Sequence, residues 1–166
     1  MRITTSVLED LTTVLPHLKP QVYFKSSLVA LSHAMEDQVL AGSGEEMPLV
    51  IATFQRERFY RMEAGRYARI AKATPHVYVM AAPETEFQNS SRQYETIAFA
   101  DTEPLCREWN LVVLSENYGT CLVCEERYPQ DIHKKPTAQT WMTQANLDAD
   151  PARRFEGIWT FDRALV

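Results

Sequence analysis

The chain is poor in glycine, with five among 166 residues. Loops that cradle phosphate have little material to work with, and neither a Walker motif nor a dinucleotide fingerprint is present. Cysteine is scarce too: three residues, an odd number without a regular framework, exclude a disulfide scaffold and suit a reducing cytosol. No apolar run is long enough to span a bilayer. Met1 to Thr5 leads into a polar, amphipathic start with no signal-peptide core, so the expectation is a cytoplasmic chain without membrane insertion. Positive charge is not in excess. The net charge of −5 argues against a surface built to neutralise phosphates, and so against nucleic acid as a partner. What remains is ordinary for a globular protein: 45% hydrophobic residues and 23% charged ones, in a length that suits one domain with a real core.

The pattern along the chain predicts an α/β fold. Ser6-Val7-Leu8-Glu9 fits a capping box, followed by a short amphipathic helix that Pro16 and Pro20 end. A longer helix is expected from about Phe24 to Ala41, with Phe24, Leu28, Leu31, Met35 and Val39 on one stripe and Lys25, Glu36 and Asp37 off it. Gly42-Ser43-Gly44 reads as its stop. Leu49 to Phe54 is a nearly continuous apolar run, as in a strand buried on both faces, and Val77 to Ala82 is a second. Between them a helix from about Phe59 to Ala73 puts Tyr60, Ala64, Tyr67, Ala68 and Ala71 toward the sheet. Arg61, Arg66, Arg69 and Lys72 form a basic outer face, and Gly65 serves close helix–sheet packing. Glu95 to Ala100, the hairpin formed by Trp109 to Ser115 and Thr120 to Arg127, and Phe155 to Asp162 complete a central mixed sheet of about five to six strands. In the last strand Phe155, Gly157, Trp159 and Phe161 alternate, so the face with Trp159 is expected to be covered by a layer or a partner. Residues 1–22 read as an N-terminal helix and link, 23–162 as the domain with a polar arm at 129–153, and 163–166 as a tail.

Ligands in open α/β sheets sit at the carboxyl ends of parallel strands. The two apolar runs end in Gln55-Arg56-Glu57-Arg58 and Pro83-Glu84-Thr85-Glu86, which should form one rim. Gln55, Arg56, Arg58 and Tyr60, with Arg61, could hold an anion at a helix start, or could simply pair with Glu57, Glu63 and Glu84. Glu84 and Glu86 could do acid–base work or be solvated loop residues. Glu116, Asn117 and Tyr118 make the hairpin turn. Cys121 and Cys124 have metal-ligand spacing, but three residues apart on a strand they face opposite ways and pack as small hydrophobes. His17, His33, His76 and His133 are scattered over different elements and fit no catalytic order. A chromophore on Cys106, Cys121 or Cys124 is a further option without a visible pocket.

These same stretches carry a likeness. Tyr23 to His33, Val50 to Tyr60, Arg66-Tyr67, Tyr78-Val79, Pro83 to Phe87, Glu108-Trp109, Val112-Val113, Glu116 to Tyr118 and Phe155 to Phe161 resemble the DICT sensory domain of diguanylate cyclases and two-component systems. The form is closest to stand-alone versions found in cyanobacteria. The resemblance covers about Tyr23 to Asp162. It implies an α/β module that senses light or environment and carries neither a fixed ligand nor a catalytic set. It names no cofactor. Kinase, cyclase and DNA-binding segments are absent from the sequence. Output would therefore pass to a separate signalling protein, such as a histidine kinase, response regulator or cyclic-dinucleotide enzyme, and a homodimer is a reasonable default. The expected function is sensing and docking, without catalysis, through Gln55, Arg56, Arg58, Tyr60, Glu84, Glu86, Glu116, Asn117 and Tyr118. The alternatives are a ligand-free adaptor or scaffold, and a transferase or hydrolase using Glu84 or Glu86 with an arginine clamp.

Overall fold

The structure, a computed structural model, describes residues 4–42, 46–89, 92–127 and 153–166. Of the arm only Arg153 falls within these residues, while His133 and the Ser43-Gly44 stop lie outside them. In chain order the elements are α1 (Val7–Val14), β1 (Gln21–Phe24), α2 (Lys25–Ala41), β2 (Leu49–Phe54), α3 (Glu57–Ala73), β3 (Val77–Ala81) and β4 (Glu95–Ala98). A 3-10 turn (Pro104–Arg107) follows, then β5 (Glu108–Leu114), β6 (Gly119–Arg127) and β7 (Arg154–Thr160).

These form one mixed sheet in the order β1-β7-β6-β5-β2-β3-β4. It has seven strands where about five to six are expected, and the addition is β1. Phe24 therefore ends a strand instead of opening a helix. Phe24 is 47% exposed and does not join the buried stripe of α2. β2 and β3 run parallel, as do β3 and β4, while β5 is antiparallel to β2.

Directly paired residues share a face of the sheet. One face, with Val50, Ala52, Val77, Val79, Leu111, Val113, Leu122, Cys124 and Phe155, packs against α2 and α3 through Leu28, Met35, Val39, Tyr60, Tyr67 and Ile70. On the other face Leu8 of α1 packs with Cys121, Val123 and Ile158. The amide of Val7 donates to the buried carboxylate of Glu108 at 2.8 Å, which supplies one of the acceptors a helix start needs. Ser6 caps the same turn by accepting from the Glu9 amide at 3.3 Å. The 3-10 turn covers Ala82 and Phe99 with Leu105.

The placing of Glu36 and Arg66 and the role of Gly65 need correction. Glu36 lies off the apolar stripe of α2 yet is only 3% exposed. It is held from α3 by the Tyr67 hydroxyl, which donates at 2.8 Å, and by Arg66. Arg66 thus leaves the expected basic outer face and also donates to the His33 carbonyl at 2.8 Å and to Asp37 at 2.6 Å. The face of β7 expected to be covered is covered by the helical layer at Phe155 and Gly157, while Trp159 and Phe161, at 39% and 52% exposure, lie at its open edge. Gly65 is exposed, and an added methyl there meets nothing within 4 Å. Close packing is therefore not its role. Gly65→Ala should stabilise the fold by roughly 0.5–1 kcal/mol, because alanine loses less backbone entropy in a helix. A denaturant titration reads this, and a lower midpoint would contradict it.

Candidate functional site

The parallel register Val50↔Val77 through Phe54↔Ala81 brings the chain out of β2 and β3 side by side. The expected rim is therefore present, and Glu57 ties it together. Its amide donates to the Ala82 carbonyl at 2.9 Å. Its buried carboxylate accepts from the amides of Glu84 and Thr85 at 2.7 and 2.8 Å and from the Thr85 hydroxyl at 2.5 Å. Arg61, one turn along α3, adds Nε and Nη2 at 3.0 and 2.7 Å. Burial alone would raise this carboxyl; the hydrogen bonds from Thr85, Glu84 and Arg61 outweigh it and pull the group down to about 2. A carboxylate in the first turn also suits the positive end of the helix.

Arg58 pairs with Glu84 and lies over the Phe59 ring, its Cζ 5.0 Å from the centroid. Arg56 occupies the N-cap of α3 in extended conformation. Glu86 is exposed, and its carbonyl accepts from Arg61 at 3.4 Å. Tyr60, in contrast, belongs to the core. It is buried, its hydroxyl 2.7 Å from that of Tyr94 and its ring edge-on to Phe54 and Phe87. Gln55 is buried where β2 ends. Its amide donates to Glu126 at 2.8 Å, and its carbonyl accepts from Arg153 at the same distance. Arg153 grips Glu126 with Nε and Nη2, both at 2.6 Å.

Behind this end of the sheet lies a cavity of about 160 Å³. Lys25, Val29, Ser32, His33 and Glu36 of α2 line one side, and Phe59, Met62, Glu63 and Tyr67 of α3 the other. Phe54, Trp109 and Leu111 form the floor, with Gln55 and Arg153 at the strand end. The two helices run side by side in the same direction: His33 Nε2 lies 3.3 Å from Glu63, and Glu36 meets Arg66 and Tyr67. Both therefore begin at the rim. Lys25, Val29 and Phe59 are half-buried and Met62 is exposed, so the cavity opens between the helix starts. The Trp109 indole donates to the Ser32 hydroxyl at 2.9 Å, fixing the floor to α2.

Glu116, Asn117 and Tyr118 stand elsewhere. Because β5 is antiparallel to β2, its turn emerges where β2 begins, and Leu49 pairs with Leu114. Asn117 donates to Glu46 at 2.7 Å, and Tyr118 lines a smaller cavity of about 80 Å³ with Val39, Pro48 and Val113. The Tyr118 ring also lies 6.2 Å from Phe161, which in turn is 5.2 Å from Trp159. The nine residues expected to act together thus divide between rim, core and the opposite end of the sheet.

Sequence reasoning missed Glu126 and Arg153 as partners of Gln55, and the cavity-lining side chains of α2. It treated Glu57 only as a surface partner for arginine; the Glu57–Arg61 spacing of four was the available signal for a fixed pair. Cys121 and Cys124 are buried in different clusters, as their spacing predicts. Burial raises the Cys121 thiol to about 11 and pushes Cys124 further up, which leaves both poor nucleophiles. Among the described residues no group of three His, Cys, Asp or Glu side chains could hold a metal ion. No described helix is long and apolar enough to cross a membrane.

The cavity opens at the carboxyl end of β2, beside the antiparallel β5, and comparison with protein families identifies the module. Residues 5–127 match DICT, the sensory domain in diguanylate cyclases and two-component systems. The chain belongs to this family. The match takes in α1 and stops at the end of β6, whereas the resemblance read from sequence runs from Tyr23 to Asp162. No curated protein and no solved structure matches the chain.

Proposed function

We propose that the chain is a non-catalytic sensory domain that holds a small molecule in the cavity between α2, α3 and the sheet. Occupancy would be relayed through the rim to a separate signalling protein in the cytoplasm. A histidine kinase, a response regulator or a cyclic-dinucleotide enzyme fits the family setting, and a light-linked signal remains within this reading. The observation that carries it is the continuity of cavity and rim. Gln55 lines the cavity and is one residue from the N-cap of α3, while Glu57 couples that helix start to Glu84 and Thr85. A molecule that favours one spacing of the helix starts would shift the population of rim conformations. Arg56, Arg58, Glu84 and Glu86 would then present the state to the partner.

Native mass spectrometry of the purified chain tests the ligand. A retained small molecule is expected, lost in Val29→Trp, which fills the cavity from a half-buried position. A bare chain in both cases would contradict the reading. The relay has its own test. Arg56→Ala with Arg58→Ala should leave far-ultraviolet circular dichroism intact and cost under about 1 kcal/mol, since exposed ion pairs contribute little. The same double variant should weaken capture of the partner. Loss of folding would remove these arginines from the relay.

One observation favours an adaptor instead. Trp159, Phe161 and Tyr118 form an aromatic cluster with two exposed members at the far end of the sheet, next to Glu116 and Asn117. Aromatic side chains are enriched at interfaces. Trp159→Ser with Phe161→Ser would abolish partner capture under the adaptor reading and spare it under the sensory one.

A further inference from the structure

We propose that the cavity takes a neutral, single-ring aromatic molecule whose oxygen accepts one hydrogen bond from Ser32. This deepens the reading above and rests on it. Size comes first. A void of about 160 Å³ is close to the roughly 150 Å³ apolar cavity that accepts one benzene molecule, so one ring fits and two do not. The walls suit a ring: Phe54, Phe59, Tyr67 and Trp109 offer faces and edges for offset or edge-on contact, and Val29 and Leu111 add aliphatic surface.

Charge then narrows the class. The ionisable groups on the walls are answered from within the chain. Lys25 Nζ lies 5.8 Å from the Phe59 centroid and is engaged elsewhere as well. His33 stands 3.3 Å from Glu63, and Glu36 is held by Arg66 and the Tyr67 hydroxyl. Arg153 bonds Glu126 and Gln55, and Glu108 accepts from the Val7 amide and Asn110. Arg58, beside the mouth, is paired with Glu84. A charged molecule would give up its hydration here and meet no spare counter-ion, a cost that a neutral one escapes.

One donor is left over. Ser32 is 6% exposed and lines the cavity, and its Oγ accepts from the Trp109 indole at 2.9 Å. That is the only hydrogen bond of its side chain among the described residues, and it occupies a lone pair. The Ser32 proton therefore has no acceptor, and a buried donor without one is destabilising. A carbonyl or ether oxygen on the bound ring supplies that acceptor. The ligand class is a neutral aromatic ketone, ester or ether of one ring.

Isothermal titration of the full chain with acetophenone, benzoate and benzylamine, one-ring molecules that differ in charge, tests neutrality. Acetophenone is expected to bind at least about tenfold tighter than either ion, with an affinity that salt does not change. The infrared carbonyl stretch of bound acetophenone tests the contact with Ser32. It should lie below its value in hexane, as hydrogen bonding requires, and Ser32→Ala should raise it toward that value. A hexane-like stretch in the unmodified chain, or a lowered one that persists in Ser32→Ala, overturns the role of Ser32. The Trp109 indole resonance should shift on binding, a readout that needs no variant. If either ion binds as tightly as acetophenone while Trp109 shifts, the preference for a neutral ligand is wrong and the cavity reading stands. If acetophenone binds without moving Trp109, both fail. If none of the three binds, the ligand class is overturned, and the retained-molecule experiment decides the cavity reading separately.

Discussion

Glu57→Ala is expected to destabilise the fold by about 2–3 kcal/mol, the range for losing hydrogen bonds to a charged, buried acceptor. The substitution takes the acceptor from the amides of Glu84 and Thr85 and from the Arg61 guanidinium, donors on exposed residues that converge on a buried carboxylate. The effect has a pH signature. The Glu57 carboxyl moves from 4.5 to about 2 on folding. A group whose folded value is depressed contributes stability above its unfolded value and loses it as pH falls through the folded one. The full contribution is about 3 kcal/mol, of which roughly 2 kcal/mol should vanish between pH 6 and pH 3. Glu57→Gln keeps the shape and removes the titration. Chemical denaturation at both pH values should therefore show the advantage of the unmodified chain over Glu57→Gln shrinking on acidification. A gap that stays constant would mean that Glu57 is not the ionised acceptor.

Gly157→Ala is expected to be at least as damaging. A methyl group there would stand 2.3 Å from the Val123 carbonyl oxygen and 2.6 Å from Cys124 Cα, contacts with the backbone of β6 that no rotamer change relieves. β6 and β7 would have to separate, and with them β1, which is attached to the sheet through β7. Overpacking of this kind costs about 1–3 kcal/mol where side chains yield, and more where backbone must move. The loss should exceed 3 kcal/mol, or appear as insoluble protein. A thermal midpoint within about 2 °C of the unmodified chain would contradict the close approach of these strands. The contrast with Gly65, where the same methyl helps, shows that position and not residue type decides what a glycine does.

The legible parts of the fold were those set by local apolar runs. Leu49–Phe54 and Val77–Ala81 announced a covered parallel pair, and the ends of that pair placed the rim. β1 escaped because Gln21-Val22-Tyr23-Phe24 is short, sits at the sheet edge, and pairs with residues 154–157, far along the chain. Glu36 and Arg66 escaped because hydrophobic periodicity does not register a polar residue that is buried by its partners. Alternation placed Trp159 on the face that Phe155 buries, but it does not tell how far along the strand the helical layer reaches. Glu116, Asn117 and Tyr118 were legible as a hairpin turn, but which end of the sheet that turn occupies follows only from the antiparallel pairing of β5 with β2. The cavity drew on α2, α3, β2, β5 and Arg153, a set that no local pattern joins.

Amide hydrogen exchange read by mass spectrometry tests the coupling of cavity and rim most directly. In Val29→Trp, with the cavity filled, exchange should slow across residues 55–59 and 83–87 and stay unchanged in α1 and β1. Unaltered exchange at both rim segments, with protection gained only around residue 29, would contradict it.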